Sequence, residues 1–219
     1  MSDRGRKSEL YEQFARMGKA LANPLRLELL DVLAQGERGV EDLAFTCGFK
    51  LSNTSAQLKV LQSAGLVTTR RSGTRVFYRL SDDAVGGFVE HMKNVAAASL
   101  AEVERAARGY LGDIDDLEPI GRSELSRLLQ NGDVVVVDVR PQAEYAAGHI
   151  PGALSIPHDQ MAARLAELPS HTPIVAYCRG RFCVMAPEAV RLLRRHGFQA
   201  SLLEDGLPEW RRAGLPIAS

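Results

Sequence analysis

Residues 174–190 read IVAYCRGRFCVMAPEAV, a short apolar strand that breaks into a loop and continues as a helical pattern. Its first four residues are all apolar or aromatic, which is typical of a strand buried on both faces of a parallel sheet. Three other stretches, VVVVDV, ALSIP and ASLLE, have the same character and are separated by helical stretches. This alternation predicts an α/β domain with a mostly parallel sheet in the second half of the chain.

The loop after this strand carries two cysteines. In a parallel sheet, ligands meet the protein beyond the carboxyl ends of the strands, where this loop begins. Backbone N–H groups, the start of the following helix and two arginines favour a thiolate at the first cysteine. A thiolate in this position is predicted to be a nucleophile for a sulfane-sulfur donor such as thiosulfate, from which it would take a sulfur as a persulfide and pass it to a thiol acceptor. The predicted catalytic residues are Cys178, Arg179, Gly180, Arg181, Phe182 and Cys183.

Each of these cysteines also has a plain structural interpretation. Cys178 could be a buried cysteine at the end of a strand, and Cys183 a small apolar residue at a helix start. The functional interpretation of Cys183 is a resolving thiol that attacks a Cys178 persulfide or sulfenate and closes a disulfide. The third cysteine, Cys47, is predicted to be a packed core thiol.

Helical spacing dominates the first half of the chain. Leu10, Phe14, Met17 and Leu21 recur at intervals of three and four, which predicts one buried face of an amphipathic helix. Further helices are predicted over 24–34, over 40–47 and in the segment that ends at Gly65. The next residues, LVTTRRSGTRVFYRL, predict a two-stranded hairpin around 71–74. Helices followed by a hairpin in this order are typical of a mainly α winged helix-turn-helix domain.

Charge in this half is unevenly distributed. Net formal charge is zero, with 27 basic and 27 acidic residues, yet 43–81 contains no Asp or Glu and six Lys or Arg. A one-sign stretch of this kind predicts contact with phosphate, and small polar residues on the exposed face of the second helix can approach base edges. The predicted DNA-binding residues are Ser52, Asn53, Ser55, Ala56, Lys59, Arg70, Arg71 and Arg75.

A Gly- and Asp-rich break separates the two halves. Before it, a long helix is predicted over 83–111, and this helix is a candidate dimer interface. The predicted domains are a winged-helix DNA-binding and dimerisation domain, 1–112, and an α/β domain, 113–219. No apolar stretch is long enough for a membrane span, and three cysteines do not form a secreted disulfide framework, so we expect a cytoplasmic protein without a membrane partner.

Separate parts of the chain resemble two known families. KALANPLRLELLDVLAQGE (19–37), QLKVLQSAGLV (57–67) and RRSGTRVFYRL (70–80) resemble the ArsR family of winged-helix repressors. DVRPQAEYAAGHIPGALSIP (138–157), YCRGRFC (177–183) and LEDGLPEWRRAGLPI (203–217) resemble a single rhodanese domain. The resemblance implies a homodimer that binds operator DNA and represses, fused to a domain whose cysteine can carry persulfide sulfur.

The departures from these families bear on cofactors. Many ArsR metal sensors have a Cys-x-Cys pair where this chain has Gly39-Val40-Glu41, and sulfide-sensing relatives have a cysteine in the last long helix, which this chain lacks. We therefore expect no metal and no cofactor. Three functions stay open: a repressor that senses sulfane sulfur or thiol oxidants, a working sulfurtransferase fused to a DNA-binding domain, and a regulator with an inert rhodanese module.

Overall fold

The chain divides into two compact units, Met1–Met92 and Lys93–Ser219. The computed structural model describes residues 3–219. The predicted domain boundary after residue 112 stays a prediction. Within the described residues, no helix is both long and apolar enough to cross a membrane.

The first unit combines helices with a small antiparallel sheet in the order β1-β3-β2. Its elements are α1 Asp3–Leu21, α2 Pro24–Leu33, β1 Arg38–Gly39, α3 Val40–Cys47, α4 Leu51–Ser63, β2 Val67–Ser72, β3 Arg75–Leu80 and the first part of α5 Asp83–Ser99. The fold class predicted for this half is confirmed, because helices α2 to α4 are followed by a β2–β3 hairpin.

Local sequence signals explain where these helices begin and end. The Asn23 side chain accepts a hydrogen bond from the backbone N–H of Arg26, and Pro24 stands at the first helical position of α2. Gly48 ends α3 with a φ of 69°, a left-handed conformation that glycine adopts without strain. The core that helices α2, α3 and α4 enclose is apolar, and its fully buried side chains include Leu29, Leu43, Leu58 and Leu61.

Two predictions about helices in this region are wrong. Of the apolar face predicted on α1, only Leu21 is buried, while Leu10, Phe14 and Met17 are 53%, 61% and 40% exposed. Among residues 3–92, which the structure describes in the first unit, nothing covers that face. The predicted helix over 83–111 is two helices, α5 and α6 Ala101–Leu111, because Leu100 has extended backbone angles and two glutamates favour a new N-terminus in the first turn of α6.

The second unit is an α/β domain around a parallel sheet in the order β5-β4-β6-β7. Its elements after α6 are α7 Arg122–Asn131, β4 Val135–Asp138, α8 Gln142–Ala147, β5 Leu154–Ser155, β6 Ile174–Tyr177, α9 Met185–Arg195, β7 Ala200–Leu202 and α10 Leu207–Arg212, with short 3-10 turns between several of them. The predicted parallel sheet is confirmed.

Alternation along the central strands places apolar side chains on both faces of this sheet. Val137 and Ala176 pack in the core that contains α9, whereas Val136, Val175 and Tyr177 pack in the core that contains Trp210 of α10. Because both faces are covered, the two strands are apolar up to Asp138, the last residue of β4. The carboxyl ends of β4 and β6 lie side by side.

Candidate functional site

The two-cysteine loop begins where β6 ends, as predicted. Cys178 is 3% exposed, and its carbonyl oxygen accepts a hydrogen bond from the backbone N–H of Leu207. Gly180 has a φ of 145°, a region that favours glycine, and its carbonyl oxygen accepts a hydrogen bond of 3.0 Å from the backbone N–H of Cys183. The loop therefore folds back on itself and brings Cys183 next to Cys178 just before α9.

A buried ion pair holds the loop against the domain. The Arg179 guanidinium donates hydrogen bonds to both carboxylate oxygens of Glu144 on α8, and the shortest of them measures 2.6 Å. The Glu144 side chain is fully buried, while that of Arg179 is 21% exposed. Because the pairing is bidentate, it holds the charged guanidinium in one orientation beside the two sulfurs. The sequence does not reveal that Glu144 positions the loop, because its partner lies 35 residues away.

The two thiols interact, so that the loss of a proton from one opposes its loss from the other. Burial raises the pKa of Cys178 well above its ordinary value, and the neighbouring Cys183 raises it further. A hydrogen bond from Cys178 lowers the pKa of Cys183 to about 7, helped by backbone N–H groups of Arg179 and Met185 and by the Arg179 charge. Burial therefore opposes the thiolate that was expected at Cys178, and Cys183 is the thiol whose pKa is lowered.

This arrangement predicts that the reactivity of Cys183 depends on pH. We expect the alkylation rate of Cys183 by iodoacetamide to rise through a midpoint near pH 7, because the thiolate is the reactive form and its pKa is lowered to about 7 from 9.0. Peptide-resolved mass spectrometry would measure this rate separately for each cysteine. In Cys178→Ala, which loses the hydrogen bond, the midpoint should move to higher pH. An unchanged midpoint in that variant would contradict the interaction between the two thiols.

The remaining loop residues face a cavity. Arg181 is exposed and its guanidinium carbon lies 5.7 Å from the centre of the Phe182 ring. Both side chains line a cavity of about 310 Å³ within the second unit. Its opposite walls come from α6 and from the end of α5, and they include Asn94, Ala97, Ala98, Val103, Ala107 and Leu111. A change in the loop can therefore alter a space that two helices also border.

Gly206, at the start of α10, lies directly against the backbone of the two-cysteine loop. It was not predicted as a site residue from the sequence. A side chain there would bring its Cβ within 3.0 Å of backbone atoms of Arg179 and Gly180. The backbone N–H of Gly206 donates to the carboxylate of Glu209 at 2.9 Å. Glycine is required here by close approach of two backbones, which no local pattern reveals.

The predicted DNA-binding residues lie on one helix and one hairpin of the first unit. Thr54, Leu58 and Leu61 are the buried residues of α4, so the face that carries the small polar residues is turned away from the core. The hairpin arginines are exposed. Of the eight predicted residues, Ser52, Asn53, Ala56, Lys59, Arg70, Arg71 and Arg75 are exposed and Ser55 is half-buried. Their assignment to DNA contact stays a prediction.

Arg70 differs from the other hairpin arginines because it is already paired. Its guanidinium donates to the carboxylate of Glu37 at 2.5 Å and lies 4.9 Å from the centre of the Phe77 ring. Its hydrogen bonds lower the pKa of Glu37. Arg71 points to the other face of the strand because side chains alternate. Phosphate contact by Arg70 would have to compete with Glu37.

Two other sequence predictions concern thiols and metals. Cys47 is half-buried and packs against the core of the first unit, in keeping with a packed thiol. Across residues 3–219, no three His, Cys, Asp or Glu side chains are grouped so that they could hold a metal ion.

Comparisons with known proteins agree with both units. A family model described as bacterial regulatory protein, arsR family, matches residues 23–69, and one for the rhodanese-like domain matches residues 122–213. The HTH-type transcriptional regulator Rv0324 of Mycobacterium tuberculosis is 51% identical over 212 residues, 97% of this chain and 93% of its own length. The chain belongs to the ArsR-type transcriptional regulators that carry a rhodanese-like domain. This regulator is therefore a DNA-binding protein.

Other relatives match one unit of the regulator. A sulfurtransferase of Allochromatium vinosum is 37% identical over 94 residues, which are 42% of this chain and 86% of that protein. A homodimeric winged helix-turn-helix DNA-binding domain from Mycobacterium bovis, determined as a fragment, is 48% identical with a TM-score of 0.42 and covers 46% of this chain and 91% of its own.

Proposed function

We propose that this regulator is a homodimeric repressor whose rhodanese-like domain accepts sulfane sulfur on Cys178 and thereby changes its affinity for operator DNA. The observation that carries the proposal is the six-residue loop from Cys178 to Cys183 at the carboxyl end of β6, where Sγ of Cys178 lies 3.5 Å from the carbonyl oxygen of Cys183, beside the Arg179–Glu144 ion pair. A loop of this size suits a small sulfur species.

The interaction between the two thiols explains how Cys178 becomes reactive. When its proton moves to the thiolate of Cys183, Cys178 becomes the thiolate, so Cys183 acts as its base. The Arg179 guanidinium attracts an anionic donor and stabilises negative charge on either sulfur. Attack on the outer sulfur of thiosulfate forms a Cys178 persulfide and releases sulfite. Peroxide is an alternative reactant, which would give a sulfenate at the same sulfur.

Helix α5 runs from the core of the DNA-binding unit to the cavity beside the loop. Its first residues, including Val89, pack in the core of the first unit, whereas Ala97 and Ala98 line the cavity beside Phe182. Modification of Cys178 that moves Phe182 changes the wall against which the end of α5 lies. A tenfold change in DNA affinity requires a difference of only about 1.4 kcal/mol between the two states.

The homodimer is supported by uncovered apolar faces. Leu10, Phe14 and Met17 of α1 are exposed, and so is Phe88 of α5, at 48%. Large apolar side chains at helical spacing without a cover are typical of an interface. We propose that a second copy of the chain covers these side chains. The resulting dimer would present one α4 helix to each of two half-sites of the operator DNA.

The function is tested by measuring operator binding in gel shifts. The samples are the reduced protein, the same protein treated with thiosulfate or polysulfide, and Cys178→Ser with and without treatment. We expect treatment to change the affinity of the wild-type protein and to leave that of Cys178→Ser unchanged. Mass spectrometry of the same samples identifies the modified cysteine.

Two other functions predict different results. A sulfurtransferase that happens to be fused to a DNA-binding domain, which the Allochromatium relative favours, would modify Cys178 and turn over donor without any change in DNA affinity. An inert module would leave Cys178 unmodified by thiosulfate, polysulfide and peroxide. Either result would rule out the proposed sensor.

The DNA-binding surface makes a separate prediction. We expect Lys59→Ala combined with Arg71→Ala to weaken operator binding at least tenfold, because both side chains are exposed cations in the acid-free stretch. Loss of two phosphate contacts should also reduce the slope of log affinity against log salt concentration by about 2.

Arg105→Ala combined with Arg127→Ala is the matched control for the loss of two charges. It removes one exposed arginine of α6 and one of α7, both outside the first unit. We expect its affinity and salt slope to equal those of the wild-type protein. Equal weakening by both changes would mean that net charge, rather than the α4 and hairpin surface, governs binding.

A further inference from the structure

We propose that Cys183 resolves a persulfide on Cys178, so that the rhodanese-like domain releases sulfane sulfur as hydrosulfide and is left as a Cys178–Cys183 disulfide. The proposal rests on sulfur acceptance at Cys178. It goes further because a persulfide that is passed to an external thiol leaves both cysteines reduced.

The position of Cys183 determines which sulfur it can attack. Sγ of Cys178 donates a hydrogen bond to the backbone carbonyl oxygen of Cys183 at 3.5 Å, and the backbone N–H of Cys183 donates to the carbonyl oxygen of Gly180 at 3.0 Å. The two side chains also affect each other's pKa, as neighbouring thiols do. Cys183 therefore lies against Sγ of Cys178, which becomes the inner sulfur of the persulfide. Attack on the outer sulfur would only move the persulfide, but attack on Sγ breaks the sulfur–sulfur bond of the persulfide and forms a disulfide.

The two steps balance without any reactant except the donor. In the first step Cys178 takes the outer sulfur of thiosulfate, and the S–S bond of thiosulfate breaks to release sulfite. In the second, the sulfur of Cys183 bonds to Sγ of Cys178, and the bond to the outer sulfur breaks. The two cysteine sulfurs lose two electrons in total and the outer sulfur gains them. The single proton that the pair holds when Cys183 is a thiolate leaves on that sulfur as hydrosulfide.

The surroundings favour the second step. Hydrosulfide is a weaker base than an alkyl thiolate, and leaving groups of lower pKa depart faster. The Arg179 guanidinium and the backbone N–H groups that lower the pKa of Cys183 also stabilise negative charge on the departing sulfur.

The product differs in charge from the starting pair. The reduced pair carries one negative charge when Cys183 is a thiolate, whereas the disulfide carries none, so Arg179 loses an anionic neighbour. On this basis the state that alters DNA affinity is the disulfide, and the persulfide is its short-lived precursor.

The test is a single-turnover experiment on the full chain with thiosulfate labelled isotopically in its outer sulfur. Sulfite reports sulfur acceptance, labelled hydrosulfide trapped with a bimane reagent reports resolution, and intact mass reports the final state. The proteins are wild type, Cys178→Ser, Cys183→Ser and Cys183→Ala, with Cys47→Ser as a control that removes a thiol of the first unit.

For the wild-type protein and Cys47→Ser, we expect sulfite and labelled hydrosulfide in equal amounts and a final mass two hydrogens lighter. Both Cys183 variants should release sulfite more slowly, because they lack the base, release no hydrosulfide and keep one added sulfur on Cys178. Cys178→Ser should release neither product.

Three results would overturn the proposal. Sulfite without hydrosulfide, with a persulfide retained by the wild-type protein, would refute resolution and leave sulfur acceptance standing. The absence of sulfite from every protein would refute acceptance and resolution together. Labelled persulfide on Cys183 in Cys178→Ser would show that the roles of the two cysteines are reversed.

Discussion

Gly206→Ala is expected to slow sulfite release from thiosulfate about a hundredfold, although it changes neither cysteine. The new Cβ would come within 3.0 Å of backbone atoms of Arg179 and Gly180. Backbone atoms in a packed interior cannot avoid the new Cβ by a rotamer change, as a long side chain can. The loop must therefore move by about 1 Å. Such a shift would separate Cys178 from Cys183 and change the position of Arg179.

The matched control is Gly121→Ala. Gly121 also precedes a helix of the same unit, with φ −77° and ψ 159°, and an added Cβ would meet nothing within 4 Å. Its rate should equal that of the wild-type protein. Because the single tryptophan, Trp210, is buried in this unit, its fluorescence gives the folded fraction, and each rate can be stated per folded chain. A wild-type rate for Gly206→Ala would show that the loop tolerates displacement.

The parallel sheet could be predicted from sequence because its cause is local. A strand covered on both faces needs a continuous apolar run, and 134–137 and 174–177 are such runs. The loop could be predicted for a related reason, since a cysteine directly after a buried strand must lie at the carboxyl edge of the sheet. The same holds for α4, where periodicity separates buried Leu58 from the exposed polar face.

Other features depend on contacts between distant residues, which periodicity does not encode. The spacing of Leu10, Phe14 and Met17 shows that a face is apolar, but it does not show whether the same chain covers it. The raised pKa of Cys178 depends on the depth of its burial and on the position of Cys183. The pairing of Glu144 with Arg179 depends on how α8 packs against the loop.

Replacing Arg140 by alanine is expected to lower the free energy of unfolding of the second unit by about 3–5 kcal/mol, the usual cost of leaving a buried charge without its partner. The side chains of Arg140 and Asp138 are both fully buried, and the guanidinium donates to Asp138 at 2.5 Å and to the carbonyl oxygen of Gly148 at 2.7 Å. Urea unfolding followed by Trp210 fluorescence measures this unit. Arg127→Ala, which breaks an exposed ion pair on α7, should leave the unfolding midpoint where it is.

A double variant separates the two reasons why Arg140→Ala could destabilise the protein. In the single variant the Asp138 carboxylate keeps only the Tyr177 hydroxyl and the backbone N–H of residue 140 as donors. If the unpaired charge dominates, adding Asp138→Asn should restore part of the lost stability, because the buried group becomes neutral. If lost packing of the long arginine side chain dominates, the double variant should be less stable than Arg140→Ala. We expect partial restoration, because Tyr177 keeps its proton at neutral pH, its pKa being raised mainly by burial, and its hydroxyl can donate to the new amide oxygen.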